Sequence, residues 1–231
     1  MSELLQFSLL DMTPYDRQSW FNLVGDYNQS IWLAYPVALL LTLALLRLLF
    51  LPTKIAQPQV VRWALALLSI SWLWVGAVFH MQYFAELNWA AHWFAWAFVL
   101  QGGLLLLVAA FIKSATWVSL SSLRGRLATC LLLIGLLVYP LSGLLEGRRF
   151  AQLEWFPLLP APVTLVSLAL VLLLQSQWRH VLVVVPVLWA VVSAAFATTL
   201  GLFEFYFMAG AIVLWLLHWV IGNRFISGVR S

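Results

Sequence analysis

Long apolar runs separated by short polar links dominate the hydrophobic pattern of this chain. A helix needs about 20 mostly apolar residues to cross the hydrocarbon core of a bilayer. By that length the pattern predicts seven membrane-spanning helices, at Ile31–Leu51, Arg62–Phe84, Trp89–Ile112, Arg126–Leu145, Pro160–Gln175, Val181–Leu200 and Phe203–Ile221. The last two runs are divided only near Gly201. We expect two helices joined by a tight turn there, because one helix of about 40 residues would be about 60 Å long.

The composition supports a membrane location. Of the 231 residues, 64% are hydrophobic and 9% are charged, whereas about 25% of the residues in a soluble domain are charged. So few charges cannot cover a water-exposed surface, which excludes a soluble globular protein. We therefore expect an all-α fold, a bundle of seven transmembrane helices. The basic residues are dispersed between the apolar runs and form no patch, which excludes nucleic acid as a partner.

The distribution of charges predicts the orientation of the helices. If the N-terminus is outside, the cytoplasmic side holds nine of the twelve basic residues: Arg47, Lys54, Arg62, Lys113, Arg124, Arg126, Arg179, Arg224 and Arg230. The outer side keeps Arg17, Arg148 and Arg149. Cytoplasmic links are enriched in Lys and Arg, so we expect the N-terminus outside and the C-terminus in the cytoplasm. All eight acidic residues fall on the outer side.

Three parts follow from this topology: an exterior N-terminal segment (residues 1–30), the seven-helix domain (31–222) and a cytoplasmic tail (223–231). The first residues do not predict a cleavable signal peptide, because acidic residues stand where a basic region is required. The segment Pro14–Gln29 mixes aromatic and charged residues, which is typical of a short helix on the outer interface or of an ordered lead-in to the first span. The exterior loop Gly147–Pro162 is expected to fold over the outer mouth. The single cysteine, Cys130, excludes an intramolecular disulfide.

Titratable residues, which are scarce in this chain, are concentrated between Trp74 and Gln101, in the stretch WVGAVFHMQYFAELNWAAHWFAWAFVLQ. The candidates for a substrate or ion site are His80, Glu86, Asn88, His92 and Gln101, together with Glu204. In the predicted topology all except Gln101 lie near the outer headgroup boundary. Gln101 lies near the midplane, where an unpaired amide is costly, so we expect it to face another helix.

These residues leave several functions open. A polar pocket that opens outward could handle a small solute or an ion. His80, His92 and Glu204 match a three-ligand zinc site with an open fourth position, which could hydrolyse an ester or amide of a small or lipid substrate. The chain could also be an accessory subunit of a membrane complex, and histidine and glutamate at helix ends are often only interfacial polar residues.

Three stretches carry a resemblance to a known family: DYNQSIW at the first span, FHMQYFAELNWAAHWFAWAFVLQ across the second and third, and LEWFPLLPAPVTL before the fifth. The chain resembles an uncharacterised family of bacterial polytopic membrane proteins, domain of unknown function 6064, over nearly its whole length. The resemblance implies a multi-pass protein of the bacterial cytoplasmic (inner) membrane. It implies no activity and no functional residues.

A partial resemblance connects the chain with the ceramidase and adiponectin-receptor superfamily of membrane hydrolases. Seven spans with a histidine at the end of the second, a polar residue at the start of the third and a ligand at the start of the seventh are similar to that superfamily, and His80 matches its second-span ligand. The other positions depart from it. Gly76 stands where the superfamily has a serine, and Glu204 and Met208 stand where it has two histidines.

Overall fold

The computed structural model of this chain describes residues 13–50 and 57–227, with side chains described as far as Leu217. The described residues form eight helices: α1 (Arg17–Ser30), α2 (Trp32–Phe50), α3 (Gln57–Leu87), α4 (Ala91–Phe111), α5 (Leu123–Glu146), α6 (Pro160–Leu173), α7 (Arg179–Leu200) and α8 (Glu204–Ser227). Two short strands, β1 (Thr116–Trp117) and β2 (Leu174–Gln175), pair antiparallel. The prediction of an all-α fold is confirmed.

Five helices, α2, α3, α4, α5 and α7, are long and apolar enough to cross a membrane. The helix α6 and the described part of α8 are shorter apolar helices. Each of the seven apolar runs predicted from the sequence therefore forms a helix. The first 12 residues, Lys54 and Arg230 lie outside the described residues, so the expectations about a signal peptide and about these two charges stay predictions.

Helix α1 packs one face into the end of the bundle. It begins at Arg17 because the side chain of Asp16 accepts a hydrogen bond from the amide of Ser19 at 2.7 Å, which caps the helix. Its buried residues recur with helical spacing: Phe21, Val24, Gly25, Tyr27 and Asn28. This face contacts the end of α3 and the short turn Phe150–Gln152. The segment Pro14–Gln29 thus contains a helix that buries one face against the bundle.

Helix α6 lies at the centre of the bundle. All of its residues from Pro160 to Leu173 are buried, and it contacts α3, α5, α7 and α8. A helix that is apolar all round is one that other elements surround. Because protein and not lipid covers its backbone, its length need not match the bilayer thickness, which explains why it is the shortest of the apolar runs.

The two ends of the bundle differ in charge. At one end, the guanidinium of Arg62 donates to the carbonyl of Ala109 at 2.7 Å, in the last turn of α4. At the same end, Arg124 donates to the carbonyls of Leu172 and Leu174, at the end of α6 and in β2. Cations are stabilised at helix C-termini, where carbonyl groups lack intrahelical partners. We call this the basic end.

The opposite end holds α1, the link between α5 and α6, and the turn between α7 and α8. Gly201 makes that turn possible, because its φ of +64° is a left-handed conformation that suits glycine. The amide of Leu202 then donates to the carbonyl of Ala197 at 2.8 Å and closes the end of α7. The predicted tight turn near Gly201 is confirmed.

Candidate functional site

The structure divides the six sequence-predicted site residues into two groups. His80, Asn88, Gln101 and Glu204 are buried, whereas Glu86 and His92 are exposed. Asn88 has a structural role, because its Oδ1 accepts the amide of Ala90 at 2.9 Å and shapes the link between α3 and α4. Gln101 donates from Nε2 to the carbonyl of Leu182 at 2.9 Å. Since Leu182 belongs to α7, the expectation that Gln101 faces another helix is confirmed.

His80 lies in a π-helical segment of α3, Val75–Phe84. Its ring is fully buried. The ring centroid lies 4.6 Å from that of Phe98 and 4.9 Å from that of Trp189. Neither ring nitrogen has a hydrogen-bond partner among the described residues. Short π-helical turns are frequent at functional sites, and buried polar groups usually have partners. This imidazole therefore packs in the aromatic core and is also a candidate functional group.

The three-ligand zinc site expected from the sequence does not form. His92 is exposed on α4, whereas His80 and Glu204 are buried. Within residues 13–50 and 57–227, no group of three His, Cys, Asp or Glu side chains is placed to hold a metal ion. His80 and Glu204 lie at the same end of the bundle, as expected, but His92 lies on the exposed face of α4.

Arg148, which was predicted to lie in an exterior loop, is buried at this end of the bundle and connects several of its segments. The side chain of Arg148 is 1% exposed and pairs with Glu146 at 3.2 Å, with Glu154 at 3.1 Å and with Glu204. We call these four residues the Arg148 cluster. The carboxylates come from the end of α5, from the link that follows and from the start of α8. One guanidinium therefore joins three separate segments. It also lies over the ring of Phe21 in α1, 4.4 Å from the centroid.

Glu154 has two further hydrogen-bond donors. The indole of Trp20 donates to Oε1 at 3.2 Å, and the hydroxyl of Tyr139 donates to Oε2 at 3.2 Å. The amide of Asn28 donates to two backbone carbonyls of the same link, at 2.8 and 2.9 Å. This loop folds over the end of the bundle, as expected, because it accepts hydrogen bonds from side chains of both α1 and α5.

The Arg148 cluster carries more carboxylates than guanidiniums. Glu146 also pairs with Arg17 at 3.7 Å and accepts the amide of Phe203 at 2.6 Å. Three carboxylates against the guanidiniums of Arg148 and Arg17 leave one formal negative charge. Burial lowers the pKa of Arg148, but the surrounding carboxylates raise it to above its ordinary value, so this guanidinium stays charged. A proton or a small cation would balance the remaining charge.

A small cavity lies beside the cluster, between α1, α3, α5, α7 and the start of α8. Its lining includes His80, Glu154, Glu204, Tyr139, Trp20 and Trp189. The volume open to the centre of a water molecule is about 30 Å³, which is room for about one or two waters. Burial raises the pKa of Tyr15, another lining residue, so its phenol is neutral. The cavity brings His80 and Glu204 to one space and excludes His92.

A sequence signal for the cluster did exist. Glu146, Arg148 and Glu154 stand close together in one link of a chain that is only 9% charged, and Glu204 has the same predicted depth. Ionisable groups near a membrane core pair with one another, so the grouping of opposite charges at one depth could have indicated a buried network. The sequence-based prediction placed Arg148 and Glu154 in an exterior loop over the outer mouth and did not include them among the site candidates.

Comparison with known proteins identifies the family of this chain. A sequence model of a family described as a family of unknown function (DUF6064) matches residues 17–229. The chain belongs to this family. The match runs from the start of α1 into the residues after α8, so the whole Arg148 cluster and His80 lie within the family's region. The resemblance to this family that the sequence carries is thereby confirmed. No curated protein and no solved structure matches the chain.

Proposed function

We propose that this protein is a multi-pass protein of the bacterial inner membrane that binds and releases a proton at the Arg148 cluster, near the outer face. The proposal keeps the ion-handling function expected from the sequence and identifies the ion by the size and chemistry of the site. It places the N-terminus outside and the C-terminus in the cytoplasm.

The surface of the helices supports the membrane location. Large apolar side chains are widely exposed, among them Leu40 at 66%, Trp93 at 72% and Leu100 at 69%. An apolar surface of this extent is unfavourable in water, whereas lipid tails match it. The separation of charge supports the orientation, because Arg62 and Arg124 lie at one end and the acidic cluster at the other. Lys and Arg are enriched on the cytoplasmic side.

The observation that carries the proton proposal is the cavity lined by His80, Glu154 and Glu204. Pockets for small organic molecules have volumes of about 300–1,000 Å³, so about 30 Å³ excludes such a solute. Carboxylates and an imidazole are the side chains that most often exchange protons. A cluster with one unbalanced negative charge beside a cavity of water size is suited to take up a proton.

Neither alternative has a comparable observation in its favour among the described residues. The metal-dependent hydrolase lacks its third ligand, because His92 is exposed. For the accessory-subunit alternative, the exposed apolar side chains of the described residues match lipid as well as a protein partner. Proton binding, by contrast, involves the side chains that are buried together around the cavity, His80, Glu154 and Glu204.

Infrared spectroscopy of the purified protein tests the proposal. A protonated carboxyl group has a carbonyl stretch that is distinct from the bands of a carboxylate and that shifts in deuterium oxide. We expect this band at neutral pH in the native protein. Glu154→Gln or Glu204→Gln should remove it, while Glu86→Gln, which changes an exposed carboxylate, should leave it in place. A native protein without the band, or a band that survives both cluster variants, would contradict proton binding.

A further inference from the structure

A groove between α2 and α3 opens at the basic end of the bundle, far from the Arg148 cluster. Apolar side chains of both helices line it, among them Leu48, Trp63 and Ile70, and Arg47 is its charged member. Its volume is about 450 Å³, which lies in the range of pockets that hold small ligands. Helix α2 leaves this space because it packs loosely, burying only Ala38 and Leu45 of its residues from Tyr35 to Phe50.

A second groove adjoins the first on the other side of Trp63. It has a volume of about 360 Å³ and is lined by Trp63, Arg62 and residues of α4 such as Leu106. The indole of Trp63 is 51% exposed. Because Trp63 lines both grooves, it lies between them; Arg47 lines the first groove and Arg62 the second.

The two arginines lie at similar depths. Arg47 precedes the end of α2 at Phe50 by three residues, and Arg62 follows the start of α3 at Gln57 by five. At 1.5 Å per residue these positions lie about 5 and about 8 Å inside the same end of the bundle. In a membrane this is the depth at which arginine side chains extend to the headgroups and tryptophan rings lie at the interface.

The positive charge at this place has no protein partner among the described residues. The four ion pairs that the described residues form all belong to the Arg148 cluster and Arg17. Arg62 uses Nε and Nη2 to bond the carbonyls of Ala109 and Ala110, and its Nη1 has no partner among the described residues. Each described acidic residue lies toward the other end of the bundle: in α1 or at its N-cap, in the last turns of α3 and α5, in the link after α5 or at the start of α8. No described carboxylate therefore pairs with these guanidiniums, and the matching anion comes from outside the described residues.

We propose that the groove binds an anionic phospholipid of the inner leaflet. The phosphate lies between Arg47 and Arg62, and one acyl chain lies along Leu48 and Ile70. Basic pockets between membrane helices on the cytoplasmic side bind anionic headgroups, and here the apolar groove leads directly from the basic residues into the lipid region. The proposal rests on the membrane location proposed above and does not depend on the proton site.

Native mass spectrometry of the full chain, with phosphatidylglycerol or phosphatidylcholine as the probe lipid, tests this site. We expect Arg47→Gln to weaken phosphatidylglycerol binding about fivefold and to leave phosphatidylcholine binding unchanged. Ala44→Phe keeps the charge and fills the groove, so it should weaken the binding of both lipids. Arg126→Gln is the matched control, because Arg126 is an exposed arginine at the same end on α5. Soluble glycerol phosphate should not displace the lipid, since it has no acyl chain.

Equal losses in Arg47→Gln and Arg126→Gln would show a general attraction to charge and would overturn the site. Displacement by glycerol phosphate would also overturn it, because a free phosphate would then suffice. The variant Glu204→Gln separates the two proposals: it should keep full phosphatidylglycerol binding whether or not the proton site exists.

Discussion

The guanidinium of Arg148 pairs with the carboxylate of Glu204 across 56 residues of sequence, and both side chains are almost fully buried. Charged side chains are rarely buried to this degree unless they are paired. The pair ties the link after α5 to the first turn of α8. Glu146 and Glu154 pair with the same guanidinium, so one buried cation connects the three carboxylates at this end of the bundle.

Removing this cation should destabilise the protein strongly. Arg148→Gln leaves three buried carboxylates without their main partner, and breaking a buried ion pair from one side costs about 3–5 kcal/mol. Denaturant unfolding in detergent measures the change. Arg149→Gln is the matched control, because Arg149 is exposed, and it should change the free energy of unfolding by less than about 0.5 kcal/mol. Equal effects of the two variants would show that the cluster does not hold the fold.

Gly76 allows the π-helical segment of α3 to approach α4 closely. A Cβ atom at this position would lie 2.9 Å from the carbonyl oxygen of Ala95 and 3.0 Å from Cγ2 of Val99. A backbone oxygen cannot move aside cheaply, so Gly76→Ala should cost about 1–3 kcal/mol, as overpacking of a core does. Thermal unfolding in detergent measures the loss.

The control for this prediction is Gly103→Ala on α4. A Cβ atom there meets nothing within 4 Å, and alanine favours a helix over glycine by about 0.5–1 kcal/mol. This variant should therefore be as stable as the native protein or slightly more stable. If Gly76→Ala behaved in the same way, the close packing of α3 on α4 would not be a constraint.

The sequence predicted the helices well because their signal is local. The length of the apolar runs and the glycine at position 201 determine where helices begin, end and turn, and the structure agrees with both. The depth of each polar residue also follows from its place in a run. This is why His80 and Glu204 were correctly expected at one end of the bundle, and they line one cavity.

The rest of the site depends on information that spacing does not carry. The direction in which His92 faces follows from the packing of α4 against α3, and that packing turns it outward. The burial of Arg148 requires α1 to cover the link, although α1 and the link are more than a hundred residues apart in the chain. Both segments are polar enough to resemble solvated loops, and only their mutual contacts remove them from water.

The cap of α1 gives a prediction about pH. Hydrogen bonds from Ser19 lower the pKa of the exposed Asp16 carboxylate. A group whose pKa is lowered in the folded state stabilises it fully above its ordinary pKa, and this contribution is lost as the pH falls through the lowered value. We expect Asp16→Ala to melt at a lower temperature than the native protein at neutral pH, with a difference that closes in strong acid.

Two further variants test the cap itself. Asp16→Asn retains a capping side chain but cannot ionise, so its stability should lack this part of the pH dependence. Asp26→Ala removes an exposed carboxylate of the same helix that does not cap it, and it should leave the melting temperature near that of the native protein. A difference between Asp16→Ala and the native protein that does not change with pH would contradict the assignment.

The orientation of the bundle can be tested with single cysteines. The chain has one cysteine, Cys130, so Cys130→Ser provides a background without thiols. Arg149→Cys places a thiol at an exposed position of the link after α5, at the end of the bundle that holds the Arg148 cluster, and Gln177→Cys places one at the exposed link between α6 and α7, at the basic end.

In intact spheroplasts, a maleimide that cannot cross the membrane should label Arg149→Cys and not Gln177→Cys, because the acidic end faces outward in the proposed topology. After the cells are opened, both thiols should react, which shows that Gln177→Cys was protected by the membrane and not by the fold. Labelling of Gln177→Cys alone in intact spheroplasts would reverse the orientation. The Arg148 cluster would then face the cytoplasm and the lipid groove the outer leaflet. Labelling of both thiols in intact spheroplasts would mean that α6 does not separate the two links across a membrane, and the count of seven spans would be wrong.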